Sequence, residues 1–371
     1  MPSTIKTPRT IAAEYISQRH FHRRFVLPRT ETHGELAVTY ADVGVQPDTT
    51  TSNHVPTFLF IPGMFGSRYL GVYIHAIAEK FGVRVLCVDR PGMGGSASVP
   101  SKSRVEIWVE LVPLLLNHLG IDHVSLISHS AGTIYLLNTL VSCRDILDPD
   151  HPYIACLAPW VDPAHSHKAA LQLARFIPTK AFSYWNQIPR FFQTSPVISF
   201  SGTVISSIKD KLPSNSGGDS VSYHKRQRLI EQEYGMAKDV QIELEKNITR
   251  FLFKENTVGA NEETLQCLRK GAPWGVCDDY EEFVKSFVER ERERRSELGE
   301  SSTPEKLKIR AYFAESDVMI GKTGQKYFEN CFEGYEDVLS FESSTMPDED
   351  HDSLCSCPEV LARIFQERSS I

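Results

Sequence analysis

Ser130 stands in the stretch Ser128-His129-Ser130-Ala131-Gly132, after the apolar run Val124-Ser125-Leu126-Ile127 and before Thr133-Ile134-Tyr135-Leu136-Leu137. This pattern predicts a buried strand ending in a tight turn, with a buried helix starting from it. A serine at such a turn projects its hydroxyl away from the backbone, above the N-terminus of the helix. That placement suits a nucleophile, and the string is the small-x-Ser-x-Gly form of an elbow with serine at its first glycine position. Small residues are needed on either side because a larger Cβ substituent would strike the neighbouring strand or helix. A serine hydroxyl is a weak nucleophile at neutral pH. It needs a histidine to take its proton and a carboxylate to hold that histidine's tautomer and stabilise its charge.

The elements that must position such a serine are also legible. Thr57-Phe58-Leu59-Phe60-Ile61 is a short apolar run ending in Pro62-Gly63-Met64-Phe65-Gly66. Val83-Arg84-Val85-Leu86-Cys87-Val88 ends in Asp89-Arg90-Pro91-Gly92-Met93-Gly94-Gly95-Ser96. Apolar β-branched runs alternating with helical segments predict a parallel sheet covered on both faces. With the elbow, the stretch from about Phe58 to Leu140 resembles the front half of an α/β-hydrolase, including its D-R-P-G-x-G-x-S loop. The resemblance implies a mostly parallel central sheet of about eight strands, flanked by helices, with a helical cap inserted after the sixth core strand.

In that fold the chain order is serine, acid, histidine. Glu315-Ser316-Asp317 follows the predicted strand Leu307 to Phe313, at the same sheet edge as Ser130. His351, in Pro347-Asp348-Glu349-Asp350-His351-Asp352, follows a predicted strand at Val338 to Phe341 and is the only histidine after His224. The resemblance thus implies a triad of Ser130, Asp317 and His351, with Asp162 the alternative acid. The family's usual glycine before the histidine is Asp350 here, so His351 sits among Asp348, Glu349, Asp350 and Asp352. These four carboxylates are expected either to raise the histidine's pKa or to lie in a plain surface loop. The oxyanion donors are expected to be the backbone N–H groups of Ala131 and Met64, with Phe65 the alternative to Met64. The proline at Pro62, where the family often has histidine, leaves a backbone donor intact.

Residues 1–22 read as a polar N-terminal arm, 23–162 and 306–371 as the α/β-hydrolase core, and 163–305 as a helical cap or lid. Phe25-Val26-Leu27 and Glu35 to Tyr40 read as an antiparallel pair. Ser103-x-x-Glu106 predicts a capping box for the next helix, Pro113 predicts a kink or break in it, and Gly120 its end. Within the cap, Lys211 to Ser222 reads as a flexible loop and Asp279 to Leu298 as the best helix, with a solvated, alternately charged tail. Phe176, Phe182, Tyr184, Trp185, Phe191, Phe192 and Phe200 predict an apolar face. Phe65, Trp160, Phe182 and Trp185 are the expected substrate-binding residues. Replacing 163–305 by a short linker is expected to leave a folded core with altered selectivity.

Composition narrows the field. The chain has 371 residues, long for one core but suited to a core with an inserted subdomain. A net charge of −7 argues against a nucleic-acid surface. No window reaches the roughly 20 apolar residues of a membrane span. The first residues lack the apolar segment of a secretory signal, and the eight cysteines show no paired spacing. Free thiols and a cytoplasmic location are therefore expected. His20-x-His22 and His165-x-His167 lack supporting ligands, so no metal is expected. Gly92-x-Gly94-Gly95 lacks the context of a phosphate loop, so no cofactor is expected. His129 reads as a packed neighbour of the nucleophile.

The expected partner is a small-molecule acyl substrate, and nothing in the sequence speaks to oligomeric state. The expected reaction is cleavage of an ester, thioester or lactone of a hydrophobic or bulky compound. Non-hydrolytic use of the same triad, by C–C cleavage, cyclisation or transacylation, is the second class, and a ligand receptor with slow turnover the third. The large lid and D-R-P-G loop also resemble hydrolases of filamentous fungi, some of which act in secondary metabolism.

Overall fold

The computed structural model describes residues 6–47, 55–187, 217–297 and 305–369, with 185–187 and 217–221 described by their backbone alone. The strands are β1 (Arg23–Leu27), β2 (Leu36–Gly44), β3 (Thr57–Ile61), β4 (Arg84–Val88), β5 (Ser125–His129), β6 (Tyr153–Leu157), β7 (Leu307–Ala314) and β8 (Leu339–Met346). They form one sheet in the order β1-β2-β4-β3-β5-β6-β7-β8. β2 runs antiparallel to β1 and β4, and the remaining pairs are parallel. β3, β4, β5 and β6 are buried along their whole length.

Alternate residues of these strands enter opposite apolar layers, as a two-residue period requires. Leu59, Ile61, Leu86 and Leu126 face one layer. Phe58, Phe60, Val85 and Ile127 face the other. Burying each such side chain is worth about 1.5–3 kcal/mol.

Helix α1 (Pro8–Ile16) opens the chain, α2 (Gly71–Lys80) follows β3, α3 (Arg104–His118) follows β4, and α4 (Gly132–Ser142) follows β5. Between β6 and β7 lie α5 (Pro163–Ser166), α6 (Ala169–Ala174), α7 (Gly217–Tyr234), α8 (Lys238–Lys254), α9 (Gly259–Cys267) and α10 (Tyr280–Glu297). α11 (Gly321–Phe332) connects β7 to β8, and α12 (Pro358–Ser369) ends the described chain.

Several local expectations are corrected. Ser103 makes no capping bond, because a 3₁₀ turn at Ser101–Ser103 leads directly into α3. α3 continues through Pro113. The proline is exposed, and the carbonyl its missing N–H would have served, on Val109, accepts from Cys143 Sγ at 3.5 Å. Gly120 ends the helix as expected, at φ +63°. The expected Lys211–Ser222 loop is already helical from Gly217, and its first part lies outside the described residues. The N-terminal arm is not merely polar. Ala12, Ile16 and Phe21 are buried, and α1 packs on α8.

Candidate active site

The elbow forms where two close approaches exclude larger residues. A Cβ on Gly132 would lie 2.3 Å from the Ile61 carbonyl oxygen. One on Gly63 would lie 2.6 Å from His129 Nδ1 and 3.0 Å from Ser130 Cβ. β5, β3 and the start of α4 can converge because these positions are glycine. Ser128, at the first glycine position of the motif, fits without space to spare: it is fully buried, with its hydroxyl 3.4 Å from Thr133 Oγ1. Ser130 itself has φ +49°, a left-handed conformation that non-glycine residues seldom adopt.

Three separate segments meet at Ser130. His351 Nε2 lies 2.7 Å from Ser130 Oγ, and His351 Nδ1 lies 2.7 Å from Asp317 Oδ2. The three side chains are buried. The other Asp317 oxygen accepts from the backbone N–H of Met319 and Ile320, both at 2.7 Å. Burial alone would raise the Asp317 pKa, yet His351 and these two N–H groups hold it below its ordinary value. For His351, burial opposes the charged form. Asp317, then Asp352 and Asp350, outweigh it and push the pKa up to about 9.

The alternative acid is turned elsewhere. One Asp162 oxygen caps α5 at Ala164 N, 2.8 Å away, and the other pairs with Arg269 Nε at 2.7 Å.

The acidic loop is a built structure. Glu349 is buried and bonds Arg226 Nη2 at 2.6 Å. Its carbonyl accepts from Ser316 Oγ at 2.8 Å, tying the His351 loop to the Asp317 loop. Asp350 Oδ1 accepts from the N–H groups of Asp352 and Ser353, at 3.0 and 2.8 Å. His129 contributes a bond that its sequence neighbourhood does not reveal, since its Nε2 lies 2.8 Å from the His351 carbonyl oxygen. Burial, then the neighbouring His351, lowers the His129 pKa to about 4, so it is neutral near pH 7 and donates from Nε2.

The loop after β3 is held from two sides. Arg90, fully buried, donates to the Pro62 carbonyl at 2.5 Å and the Gly63 carbonyl at 2.8 Å. Its remaining donors form a two-pronged pair with Glu263 of α9, both contacts 2.8 Å. Arg104 reaches the same carboxylate at 2.7 Å. Burial works against the charge of Glu263, but the two guanidinium groups keep its pKa below normal. A second arginine repeats this pattern. Arg68 bonds Asp89 at 2.8 Å and Glu255 at 2.6 and 2.7 Å. The insertion therefore supplies a carboxylate to each of these three core arginines. Arg90 is visible in the sequence within the D-R-P-G motif, but Glu263 carries no local signal, because its partners lie 159 and 173 residues away.

The expected substrate-binding residues separate. A cavity of about 270 Å³ lies between α2, α7 and α8 and reaches Gly63, Met64, Phe65 and His129. Phe65 lines it. Trp160 does not: its N–H groups bond the carbonyls of Ser130 and Cys267, both at 3.3 Å, and its ring fills the core behind the elbow. Phe182 is likewise packed into the core and off the cavity wall. Phe176 and Tyr184 are mostly exposed. The side chain of Trp185, and Phe191, Phe192 and Phe200, lie outside the described residues. The cavity wall comes instead from aliphatic residues of α7 and α8, such as Ile230, Leu244 and Ile248.

Of the sequence-picked histidine pairs, His165 stacks on Tyr327 with ring centres 3.7 Å apart, and His22 bonds the Ile16 carbonyl at 2.7 Å. His129, His351 and Asp352 bring ligating atoms within 4.8 Å of one another. Both His351 ring nitrogens already contact Ser130 and Asp317. Among the described residues, no helix is long and apolar enough to cross a membrane.

Comparison with known proteins agrees with this architecture. Residues 58–215 match the model of an alpha/beta hydrolase family. No curated protein matches the chain. The α/β-hydrolase MGS-M2 from a Medee basin deep-sea metagenome library is 12% identical, with 94% of this chain and 98% of that one covered and a TM-score of 0.52. A carboxylesterase structure from the thaumarchaeon Nitrososphaera gargenis is 14% identical over 94% and 98%, with a TM-score of 0.51. An α/β-hydrolase fold protein from Chitinophaga pinensis is 12% identical over 96% and 100%, also at 0.51. At such identity these neighbours speak for the fold alone. The family match through the elbow and the sheet order together show that this chain has the α/β-hydrolase fold.

Proposed function

We propose that the protein is a serine hydrolase that cleaves an ester, thioester or lactone through an acyl-enzyme on Ser130. The observation that carries this reading is the unbroken hydrogen-bonded chain Ser130–His351–Asp317, with both contacts at 2.7 Å and all three groups buried. As Ser130 Oγ attacks the acyl carbon, neutral His351 takes its proton at Nε2. Asp317 holds Nδ1–H and stabilises the imidazolium. The carbonyl oxygen becomes an oxyanion, and the N–H of Ala131 at the start of α4 and the N–H of Met64 are its donors. His351 returns its proton to the leaving group as the tetrahedral species collapses. Water then repeats the sequence on the acyl-enzyme, releasing the acid and restoring Ser130.

The segment between β6 and β7 acts in this reading as a lid that shapes the acyl pocket. The cavity's aliphatic wall supports a hydrophobic or bulky acyl group over a small polar one. The test has two parts. A fluorophosphonate probe should label Ser130 in the native protein and leave the Ser130→Ala variant unlabelled. Product analysis with esters, thioesters and lactones should then show the free acid. Absence of labelling in folded protein would turn the reading towards a receptor, and labelling with a transferred or cyclised product towards non-hydrolytic chemistry.

A further inference from the structure

The cavity is apolar along most of its wall; Asp348, Asp350 and Asp352 line it on the His351 loop, and Glu245 is the one carboxylate that α8 contributes. Glu245, Ile248 and Leu252 lie three and seven residues apart, so they share one helix face. All three line the cavity. A carboxylate is costly on such a face unless its oxygens find donors. One does: Tyr223 of α7 donates to Glu245 Oε2 at 2.7 Å, and Gln227 Nε2 in turn donates to the Tyr223 oxygen at 2.9 Å. Among the described residues, Oε1 has no partner. Arg226, which also lines the cavity, bonds Glu349 on the His351 loop at 2.6 Å. Burial raises the Glu245 pKa despite Tyr223 and Arg226. A fixed acceptor therefore faces a cavity that also reaches Met64 and His129 beside the nucleophile.

We propose that this wall selects an acyl chain with a hydrogen-bond donor, a hydroxyl or ammonium group, at the end remote from the scissile bond, and that Glu245 Oε1 receives it. The proposal rests on the reading of Ser130 as nucleophile, since it names the substrate class of that same site. A volume of about 270 Å³ holds about nine water-sized groups at roughly 30 Å³ each, enough for a medium chain. Its apolar middle would pack on Ile248 and Leu252, and its terminal donor would bond Glu245 Oε1. A plain alkyl chain would bury that oxygen without a hydrogen bond.

Binding can be measured without turnover, in the Ser130→Ala protein, by calorimetry. The ligands are three methyl esters of about eight carbons: one with a plain terminus, one with a terminal hydroxyl and one with a terminal amine. At least one polar-ended ester should bind on the order of 10-fold more tightly than the plain one. Glu245→Leu should abolish that preference. Glu245→Gln keeps an oxygen acceptor without the charge, so it should retain preference for the hydroxyl and lose any for ammonium. Tyr223→Phe frees the second oxygen and should preserve or increase the preference, which keeps the test open if Glu245→Leu does not fold. Equal binding of the three esters, binding of none, a preference that survives in Glu245→Leu or one lost in Tyr223→Phe would overturn the proposal. Fluorophosphonate labelling of the native protein tests the nucleophile separately, so a failed selectivity and a failed hydrolase reading give different results.

Discussion

Asp317 and Glu263 are both buried carboxylates that serve the site, and their surroundings differ. Asp317 lies in the core, at the end of β7, and touches the imidazole that bonds Ser130. Two backbone N–H groups two and three residues ahead complete its shell, so the loop can form that shell locally. Glu263 belongs to the insertion and touches nothing that reacts. It holds Arg90, which holds the carbonyls on either side of the Pro62–Gly63 peptide, next to the proposed Met64 donor. In the proposed mechanism the core carries proton transfer, and the insertion holds the loop that would receive the oxyanion. The two functions can be separated by mutation.

Ser130→Ala should remove the nucleophile and leave the oxyanion loop in place. Turnover should fall by roughly 10⁴-fold or more, with the far-ultraviolet circular dichroism spectrum unchanged. Near-normal turnover in the folded variant would exclude Ser130 as nucleophile.

Asp317→Asn should come next, lowering kcat/KM by roughly 10³–10⁴-fold through loss of the His351 partner. Asp162→Asn should change it only a few-fold, because Asp162 contacts Arg269 and the α5 cap. The opposite ranking would move the acid to the end of β6.

Arg90→Lys and Glu263→Gln should lower kcat by on the order of 10–100-fold, less than the 10²–10³ of a deleted oxyanion donor. KM and the acidic limb of the pH profile should stay near native values, which separates loop positioning from base chemistry. Breaking such a buried pair costs about 3–5 kcal/mol, so thermal unfolding should be measured in parallel. A shifted acidic limb with unchanged kcat would contradict the division between the two carboxylates.

The smallest effect is expected at Asp352. Its charge is one of those that raise the His351 pKa to about 9. The base must be neutral, so kcat/KM should rise with pH through that region, and Asp352→Asn should move the limb to lower pH. His351 titrates higher in the folded chain than its ordinary 6.5. Its charge thus contributes stability that is complete below about 6.5 and lost as pH rises through about 9. Asp352→Asn should narrow that window in denaturation curves recorded against pH. An unmoved limb would leave Asp317 and Asp350 as the tuning partners.

The same comparison bears on the expectation that a linker could replace the insertion, and thermal unfolding of the chain lacking 163–305 tests it. Removing 163–305 would take Glu263 from Arg90 and Arg104, and Glu255 from Arg68. Arg90 and Arg104 would lose their carboxylate while Arg68 would keep Asp89, and breaking such buried pairs is destabilising. The insertion is part of the core's electrostatic structure.

The chain's local order determined much of this protein. Apolar runs, their glycine-bearing ends and the small residues around Ser130 specify a parallel sheet with an elbow, because strand period and turn geometry are properties of neighbouring residues. The positions of Asp317 and His351 followed from an ordered set of motifs in a resembling family. Tertiary structure decided what depends on residues far apart. It aimed Asp162 at Arg269 and Asp317 at His351, although both follow core strands. It placed Trp160 and Phe182 in the core and gave the cavity wall to aliphatic residues of α7 and α8, since periodicity marks a face as apolar without saying what covers it. It also joined Arg90 to Glu263 across 173 residues. A lone glutamate in a helix looks the same in sequence whether it meets water or a buried guanidinium, and only the folded chain brings the partner that decides between them.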